Sequence, residues 1–236
     1  MRNMNADELK AFYESGLGKF ACRKLRARIT SFWPEIANEK IFGFGFTLPY
    51  LPLFSYGNKV IALTPENIGP VKIEDASASV IADPTSLPLG NEFFDRAIII
   101  HGLEHVQIPE KLIEEIWRAL KPDGKLLIIA PNENGVWLRK ASPFYKTKAY
   151  SRLKLTEYLY FNKFFVTRFG RALFFVPTRF RIINRISEFF GRIFLRPFCG
   201  VLIIEAEKRI FAPGGRPIKI PVSIWDRLFK PKAATA

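Results

Sequence analysis

The sequence predicts an α/β protein built on one parallel sheet with helices on both faces. The chain of 236 residues suffices for one ordinary domain, and 48% of it is hydrophobic, which is enough for a substantial core. Short apolar runs recur between residues 40 and 130, and a helical pattern separates the last two of them. Such alternation is typical of parallel strands that helices bury on both sides.

The N-terminal residues predict a helix that precedes the sheet. Asn5 followed by Glu8 forms a capping-box pattern, and apolar residues then recur at helical spacing as far as Trp33. Pro34 ends the pattern. We therefore expect a helical extension over residues 1–37, which could rest on the domain core or on a lipid surface.

Five buried strands are predicted in the central part of the chain. They are KIFGF (40–44), KVIAL (59–63), SVIAD (79–83), RAIII (96–100) and KLLIIA (125–130). Between the last two, a helix is expected to begin at Pro109 and to end at the turn Pro122-Asp123-Gly124. Its apolar face consists of Leu112, Ile113, Ile116, Trp117 and Leu120.

Beyond Pro131 the sequence becomes rich in phenylalanine and arginine. The further predicted elements are a helix in LTEYLYFNKFF (155–165), a strand in RALFFV (171–176), a helix in RIINRISEFFGRIF (181–194) and a last strand in GVLIIEAEKR (200–209). We expect one domain over residues 38–209. Residues 210–236 contain four prolines and predict a loosely ordered tail.

The net charge of +14 belongs to the second part of the chain. Residues 1–136 carry 15 basic and 17 acidic side chains, whereas residues 137–236 carry 21 basic and 5 acidic ones. Over residues 139–196, bulky apolar side chains alternate with arginines. This pattern favours a polyanionic partner, and an anionic membrane surface more than nucleic acid, because apolar side chains can enter a lipid interface. A buried apolar face with solvated arginines explains the pattern equally well.

Cysteine usage and hydropathy indicate the compartment. Cys22 and Cys199 form neither a disulfide framework nor a metal-binding spacing, which favours a reduced intracellular environment. The N-terminus lacks the apolar segment of a secretory signal. The longest uncharged run, 41–58, contains two prolines and three glycines, so it does not predict a membrane-spanning helix. The sequence therefore predicts a cytoplasmic protein, with peripheral membrane attachment as an option.

Three motifs occur in a characteristic order. A glycine turn in KIFGFGFTLPYL follows the first strand, ADPTSLPLGNEFFDRAIIIHGLEHV spans the third and fourth strands, and LKPDGKLLIIAPN leads into the fifth. This succession resembles the class I S-adenosylmethionine-dependent methyltransferases, especially the type-11 group, over roughly residues 38 to 135. The resemblance implies a Rossmann-like, doubly wound sheet and S-adenosylmethionine as the cofactor, bound at the carboxyl ends of the strands.

The resemblance also implies which residues contact the cofactor. Gly43 and Gly45 would flank its methionine and ribose portion, because glycine lets backbone amides approach closely. Asp83 would accept a hydrogen bond from the adenine amino group, Leu87 would cover the ring, and the backbone near His101 would face the methionine end. The transferred methyl group is already activated by the sulfonium, so the protein mainly aligns the reactants.

The sequence departs from the family pattern at three positions. Ile41 stands where the family usually has an acid, Thr47 stands in place of the third glycine, and Thr64 stands where an acid usually binds the ribose hydroxyls. Each missing charge-assisted hydrogen bond is worth roughly 1.5–3 kcal/mol. We therefore expect a cofactor site that includes Thr47 and Thr64 but binds weakly.

Several of these residues also have a purely structural explanation. Gly43 and Gly45 could make a tight strand exit, and Asp83 before a proline could be an ordinary turn residue. The stretch HGLEH (101–105) satisfies a zinc-peptidase pattern, but that chemistry needs both histidines on a sustained helix. Here an apolar strand leads directly into His101, so we expect a loop and no metal site.

The predicted function is methyl transfer from S-adenosylmethionine to an acceptor that no substrate motif identifies. The catalytic base is unassigned, and His101, Glu104 and His105 are nearest by position. The alternative is a non-catalytic protein that keeps the methyltransferase-like fold and serves as a binding or scaffold module.

Overall fold

The computed structural model describes residues 5–69, 78–138, 147–174 and 198–210. Its centre is a seven-stranded sheet with the order β3-β2-β1-β4-β5-β7-β6. The strands are β1 (Lys40–Gly45), β2 (Lys59–Pro65), β3 (Ala78–Ala82), β4 (Phe94–Ile100), β5 (Leu120–Pro131), β6 (Phe164–Ala172) and β7 (Val201–Lys208). β1 to β5 pair in parallel, and β7 runs antiparallel between β5 and β6.

Helices cover both faces of this sheet. α2 (Gly16–Phe32) packs on one face through Ala21, Leu25, Ile29 and Phe32, which recur at helical spacing. α3 (Pro109–Ala119) and α4 (Arg152–Phe161) pack on the other face with the alternate residues of the strands. The predicted Rossmann-like, doubly wound α/β fold is thus confirmed, and its core has one apolar layer on each side of the sheet.

The N-terminal extension consists of two helices, so the prediction of one continuous helix is wrong. α1 (Ala6–Glu14) begins at the predicted cap, where Asn5 accepts a hydrogen bond from the Glu8 N–H at 2.9 Å. Ser15 is in an extended conformation and caps α2 by accepting from the Gly18 N–H. A Cβ on Gly18 would lie 1.9 Å from the Phe12 carbonyl oxygen, so the glycine permits this sharp break.

The central strands and α3 lie where the sequence predicts them, whereas the C-terminal elements are shifted. The strand predicted at 171–176 overlaps the observed strand only at residues 171 and 172, because β6 occupies residues 164–172 and begins just after α4; residues 175 and 176 lie outside the described residues. The phenylalanines of NKFF therefore belong to β6 and not to a continued helix. α3 ends at Ala119, before the predicted turn, and β5 follows directly. The helix predicted at 181–194 lies outside the described residues.

The connection from β1 to β2 contains only a short 3-10 turn, Leu51–Leu53, where a longer helix would be usual for alternating strands and helices. Pro49 precedes that turn and Pro52 lies within it, and Leu51 and Phe54 pack under α2. The division at residues 37 and 209 stays a prediction, and the tail lies almost wholly outside the described residues. In the part of the chain that the structure describes, every helix is too short or too polar to cross a bilayer.

Candidate functional site

Four neighbouring strands bring most of the predicted site residues to one edge of the sheet. The order β3-β2-β1-β4 places Asp83, Thr64, Gly45 and His101 at or just after successive carboxyl ends. Gly45 pairs with Ile100, directly before His101, and Pro65 pairs with Ala82, directly before Asp83. This is the edge at which open α/β sheets bind ligands. Which of these residues touch a ligand stays a prediction.

Gly45 is required by the close approach of β4. Its φ angle is +98°, and a Cβ there would lie 2.3 Å from the Ile100 carbonyl oxygen and 2.7 Å from the Gly102 nitrogen. Only glycine tolerates this backbone and this contact. The predicted structural explanation, a tight strand exit, therefore accounts for Gly45.

Gly43 and Thr47 form a complementary pair within the turn. A Cβ on Gly43 would meet the Thr47 side chain at 2.8 Å. Thr47 therefore fills the space that the first glycine leaves above the strand, and its side chain is fully buried. Ile41, which stands in place of the usual acid, is buried in the core under α2.

Two buried hydroxyl groups at this edge lack hydrogen-bond partners among the described residues. They are Thr47 Oγ1 and Thr64 Oγ1, and both residues are at most 1% exposed. Buried polar atoms are normally satisfied by protein, water or ligand, since an unsatisfied one costs about 1–3 kcal/mol. Both threonines are therefore suited to receive a polar ligand.

Asp83 and Leu87 differ in environment. Asp83 is exposed just beyond β3, and its Oδ1 accepts from the N–H and the hydroxyl of Thr85, each at 2.8 Å. These bonds, the backbone one first, lower the pKa of the carboxyl. Leu87 is buried in the core cluster, and its N–H donates to Glu115. Asp83 is thus an exposed turn residue, whereas Leu87 is a core residue.

His101 is the centre of a buried hydrogen-bond chain. Its backbone is left-handed (φ +50°), which is unusual for a side-chain-bearing residue and is frequent at functional sites. Nδ1 lies 3.1 Å from Glu104 Oε1, and Nε2 lies 2.7 Å from the Tyr13 hydroxyl. The Tyr50 hydroxyl lies 2.8 Å from that of Tyr13.

The donors in this chain follow from the chemistry of its ends. A carboxylate accepts only, so when Glu104 is ionised and the imidazole is neutral, Nδ1 of His101 carries the proton and donates it. Nε2 of the neutral ring is then an acceptor, which requires the Tyr13 hydroxyl to donate to it. Tyr50 therefore donates to the Tyr13 oxygen. Burial raises the pKa of both tyrosines, which keeps their hydroxyls protonated.

α1 lies over the glycine turn, which sequence reasoning did not foresee. The Tyr13 ring stacks on Phe46 with centroids 5.8 Å apart and planes 13° apart. Leu9 packs on Phe46 and Ile68, and the Ala6 N–H donates to the Ile68 carbonyl at 2.8 Å. The only sequence signal was the i, i+4 spacing of Leu9 and Tyr13, which does not reveal their partner.

Glu104 and His105 add two more buried polar atoms without partners in the described residues. These atoms are Glu104 Oε2 and His105 Nδ1. Burial, the largest influence, lowers the pKa of His105, which therefore favours the neutral ring. Of the two histidines of HGLEH, His101 precedes the short 3-10 turn Leu103–His105 and His105 ends it, so they do not lie on a sustained helix, as the sequence predicts.

Comparison with known proteins shows similarity to methyltransferases over part of the chain. The family described as "methyltransferase domain" matches residues 42–128. The demethylmenaquinone methyltransferase of Chlamydia muridarum is 42% identical over 50 residues, which is 21% of this chain and 22% of that protein. The ubiquinone/menaquinone biosynthesis C-methyltransferase of Chromobacterium violaceum is 30% identical over 82 residues, covering 35% of this chain and 32% of that protein. The chain thus spans at most about a third of these relatives.

Solved structures share the fold over most of the chain. A methyltransferase from Thermotoga maritima, described as S-adenosylmethionine-dependent and a possible histamine N-methyltransferase, superposes with a TM-score of 0.62 at 19% identity. It covers 86% of this chain and 95% of its own. An S-adenosylmethionine-dependent methyltransferase from Aquifex aeolicus also gives 0.62, at 15% identity, covering 87% and 99%. At these identities the likeness shows the fold alone.

Proposed function

We propose that the chain transfers a methyl group from S-adenosylmethionine to a small acceptor, a proposal supported by its match to the methyltransferase-domain family over residues 42–128 and by the fold that it shares with S-adenosylmethionine-dependent methyltransferases. The single observation that carries this proposal is the set of buried, unpartnered polar atoms at the carboxyl edge of the described sheet. They are Thr47 Oγ1, Thr64 Oγ1, Glu104 Oε2 and His105 Nδ1. A fold without a polar ligand at this edge would have no reason to retain them.

These residues fit the cofactor in chemical character. Thr64 is the penultimate residue of β2, where a hydroxyl can hydrogen-bond to the ribose, and the exposed Asp83 carboxylate can accept from the adenine amino group. Thr47 offers a third hydroxyl at the glycine turn. When bound, S-adenosylmethionine would supply a methyl group activated by its sulfonium charge. Neutral hydroxyls in place of carboxylates predict weak binding.

The chain's own contribution to the chemistry is a proton acceptor in a water-excluding site. Nε2 of His101 can take the proton that the acceptor loses, because Glu104 holds the ring with Nδ1 protonated. Phe46, which is buried directly after the Gly45 turn, helps to keep water from the site. His101 would therefore act as the base, and Glu104 would act through it as a positioning residue.

The relatives give the first acceptor to test. Those matched are named for methylation of demethylmenaquinone and for C-methylation in ubiquinone and menaquinone biosynthesis. We take a quinone precursor as the leading acceptor class for this chain.

The prediction that the basic part of the chain binds an anionic membrane stays a prediction, since much of 139–196 lies outside the described residues.

Calorimetric titration with S-adenosylhomocysteine tests the proposal. We expect binding in the micromolar to millimolar range, and at least about tenfold tighter binding by Thr64→Asp, which restores a charge-assisted bond at the end of β2. Asp83→Ala should weaken binding while the fold persists. If both the natural chain and Thr64→Asp give no binding heat and no thermal shift at millimolar ligand, the proposal of an active cofactor site is refuted.

One observation favours the non-catalytic alternative. The Thr47 side chain fills the space above Gly43, and Tyr13 of α1 covers the next residues of the turn. A protein that had lost its cofactor could close its site in this way and serve as a binding module. Thr47→Gly discriminates the two, since it reopens the turn. If this variant also fails to bind S-adenosylhomocysteine, the binding module becomes the better description.

A further inference from the structure

The side chain of Tyr13 has the contacts of a bound ligand and not of an ordinary helix residue. Its ring stacks on Phe46, and its hydroxyl donates to His101 Nε2 while receiving a hydrogen bond from Tyr50. The ring of Tyr50 meets the same ring edge-on, with centroids 5.9 Å apart. An aromatic ring with one hydroxyl is therefore recognised on its face, on its edge and at its oxygen.

The element that supplies Tyr13 is short and lightly attached. α1 has nine residues, one of which, Leu9, is buried. A helix of this length is marginal on its own and depends on its packing. Besides Tyr13, α1 is held over the turn by Ala6 and Leu9, and the ring of Phe12 meets that of Trp137 edge-on with centroids 6.3 Å apart. The residues that contact Tyr13 at this site, Phe46, Tyr50 and His101, belong to the β1–β2 connection and to the segment that follows β4, and not to α1.

We propose that Tyr13 occupies the binding place of the acceptor, and that the acceptor is a planar aromatic compound with a hydroxyl group. The acceptor ring replaces the Tyr13 ring on Phe46, and its hydroxyl donates to His101 Nε2. α1 then moves away from the turn, so acceptor binding and α1 docking exclude each other. The proposal rests on the proposed methyl transfer, because it gives that reaction its acceptor subsite, but the subsite can be tested without turnover.

The test uses p-cresol, which reproduces the tyrosine side chain, and toluene, which lacks the hydroxyl. In the natural chain, p-cresol should increase amide hydrogen exchange across residues 6–14, and toluene should not. Tyr13→Ala should bind p-cresol about tenfold more tightly than the natural chain, because the internal competitor is gone. In Tyr13→Ala/His101→Ala the preference for p-cresol over toluene should disappear.

A second variant, Tyr13→Phe, keeps the test valid if Tyr13→Ala does not fold. Tyr13→Phe keeps the ring but loses both hydrogen bonds, so its p-cresol affinity should lie between those of the natural chain and of Tyr13→Ala. If p-cresol binds Tyr13→Ala but never affects α1 of the natural chain, the site is only the hole left by a structural tyrosine, and the proposal fails. It also fails if Tyr13→Phe binds p-cresol no better than the natural chain.

S-adenosylhomocysteine separates this proposal from the proposed function. If it displaces α1 and p-cresol does not, Tyr13 occupies the cofactor's place, and the acceptor assignment is wrong while methyl transfer stands. If p-cresol displaces α1 and S-adenosylhomocysteine does not bind, the aromatic subsite stands while methyl transfer fails. Displacement of α1 by p-cresol together with binding of both ligands supports the two proposals jointly.

Discussion

The two edges of the sheet differ in whether their polar groups have hydrogen-bond or ion-pair partners. At the amino edge, charged side chains are paired: Arg96 with Glu39, Lys121 with Asp95 at 2.6 Å, and Lys208 with Glu92 at 3.2 Å. At the carboxyl edge, buried polar atoms of four residues lack partners among the described residues. Paired groups stabilise the fold, whereas unpaired buried groups cost stability and persist where a ligand uses them.

The contrast extends to how each edge is covered. The fully buried Lys208 ammonium donates to the Leu120 carbonyl at 2.7 Å and lies 4.0 Å from the Trp117 ring centroid. Trp117 Nε1 is the exception at this edge, since no described residue accepts from it. The carboxyl edge is instead covered by the short helix α1. The described cover of the amino edge thus includes a fully buried, hydrogen-bonded lysine, while that of the glycine turn at the carboxyl edge is a helix with one buried residue.

The largest expected effect comes from Gly45→Ala. A left-handed residue with a side chain costs about 1–3 kcal/mol, and the clash with the Ile100 oxygen adds about as much, so we expect a loss near 4 kcal/mol in the free energy of unfolding. Gly57→Ala is the matched control, because Gly57 also has a positive φ, +71°, but nothing within 4 Å of its Cβ. Urea unfolding of both variants measures the difference. If both variants lose the same free energy of unfolding, the close approach of β4 to Gly45 adds nothing to the cost of its positive φ angle.

Lys208→Ala should give the next largest effect, at the other edge. It removes a buried stem and the donor to the Leu120 carbonyl, so we expect a loss of about 3 kcal/mol. Lys208→Met keeps the volume and should lose only about 1 kcal/mol. Affinity for S-adenosylhomocysteine should change in neither variant. A Lys208 variant that folds well but loses affinity for S-adenosylhomocysteine would contradict the view that the amino edge contributes to stability and the carboxyl edge to ligand binding.

Sequence periodicity sufficed for the central sheet but not for the residues that close the site. Five strands and α3 follow from local apolar patterns, and Gly45 and His101 fall at strand ends because parallel strands share an edge. The contact of Tyr13 with His101 joins residues 88 positions apart, and no local pattern encodes it. β6 was misplaced because NKFF continues a helical apolar pattern, whereas pairing with β7 decides its conformation.

Thr64→Val should have a smaller effect of the opposite sign. It replaces an unpartnered buried hydroxyl with a methyl group of similar volume, so we expect a gain of about 1 kcal/mol in stability together with weaker S-adenosylhomocysteine binding. In the control Thr167→Val, the lost hydroxyl donates to Glu205 at 2.7 Å, so stability should fall by about 1 kcal/mol. Thermal unfolding and calorimetry measure both quantities. Destabilisation by Thr64→Val would show that this hydroxyl is satisfied within the protein.

The smallest effect concerns the acid sensitivity of the amino edge. Burial alone would raise the pKa of the Asp95 carboxyl, but hydrogen bonds from the Lys121 ammonium and the Lys40 N–H outweigh it and lower the pKa. Because the pKa is lower in the folded state, the stabilisation is present above the unfolded value near 3.8 and is lost as pH falls through the folded value.

Asp95→Asn should therefore be less stable than the natural chain at pH 5 by less than about 1 kcal/mol, since the pair is partly exposed, and the gap should close towards pH 2.5. Lys121→Met removes the ammonium while keeping the carboxyl, and it should flatten the same pH dependence in part. Urea unfolding at intervals from pH 5 to 2.5 measures both gaps. A gap between Asp95→Asn and the natural chain that stays constant over this range would mean that the paired charges of the amino edge contribute no stability of their own.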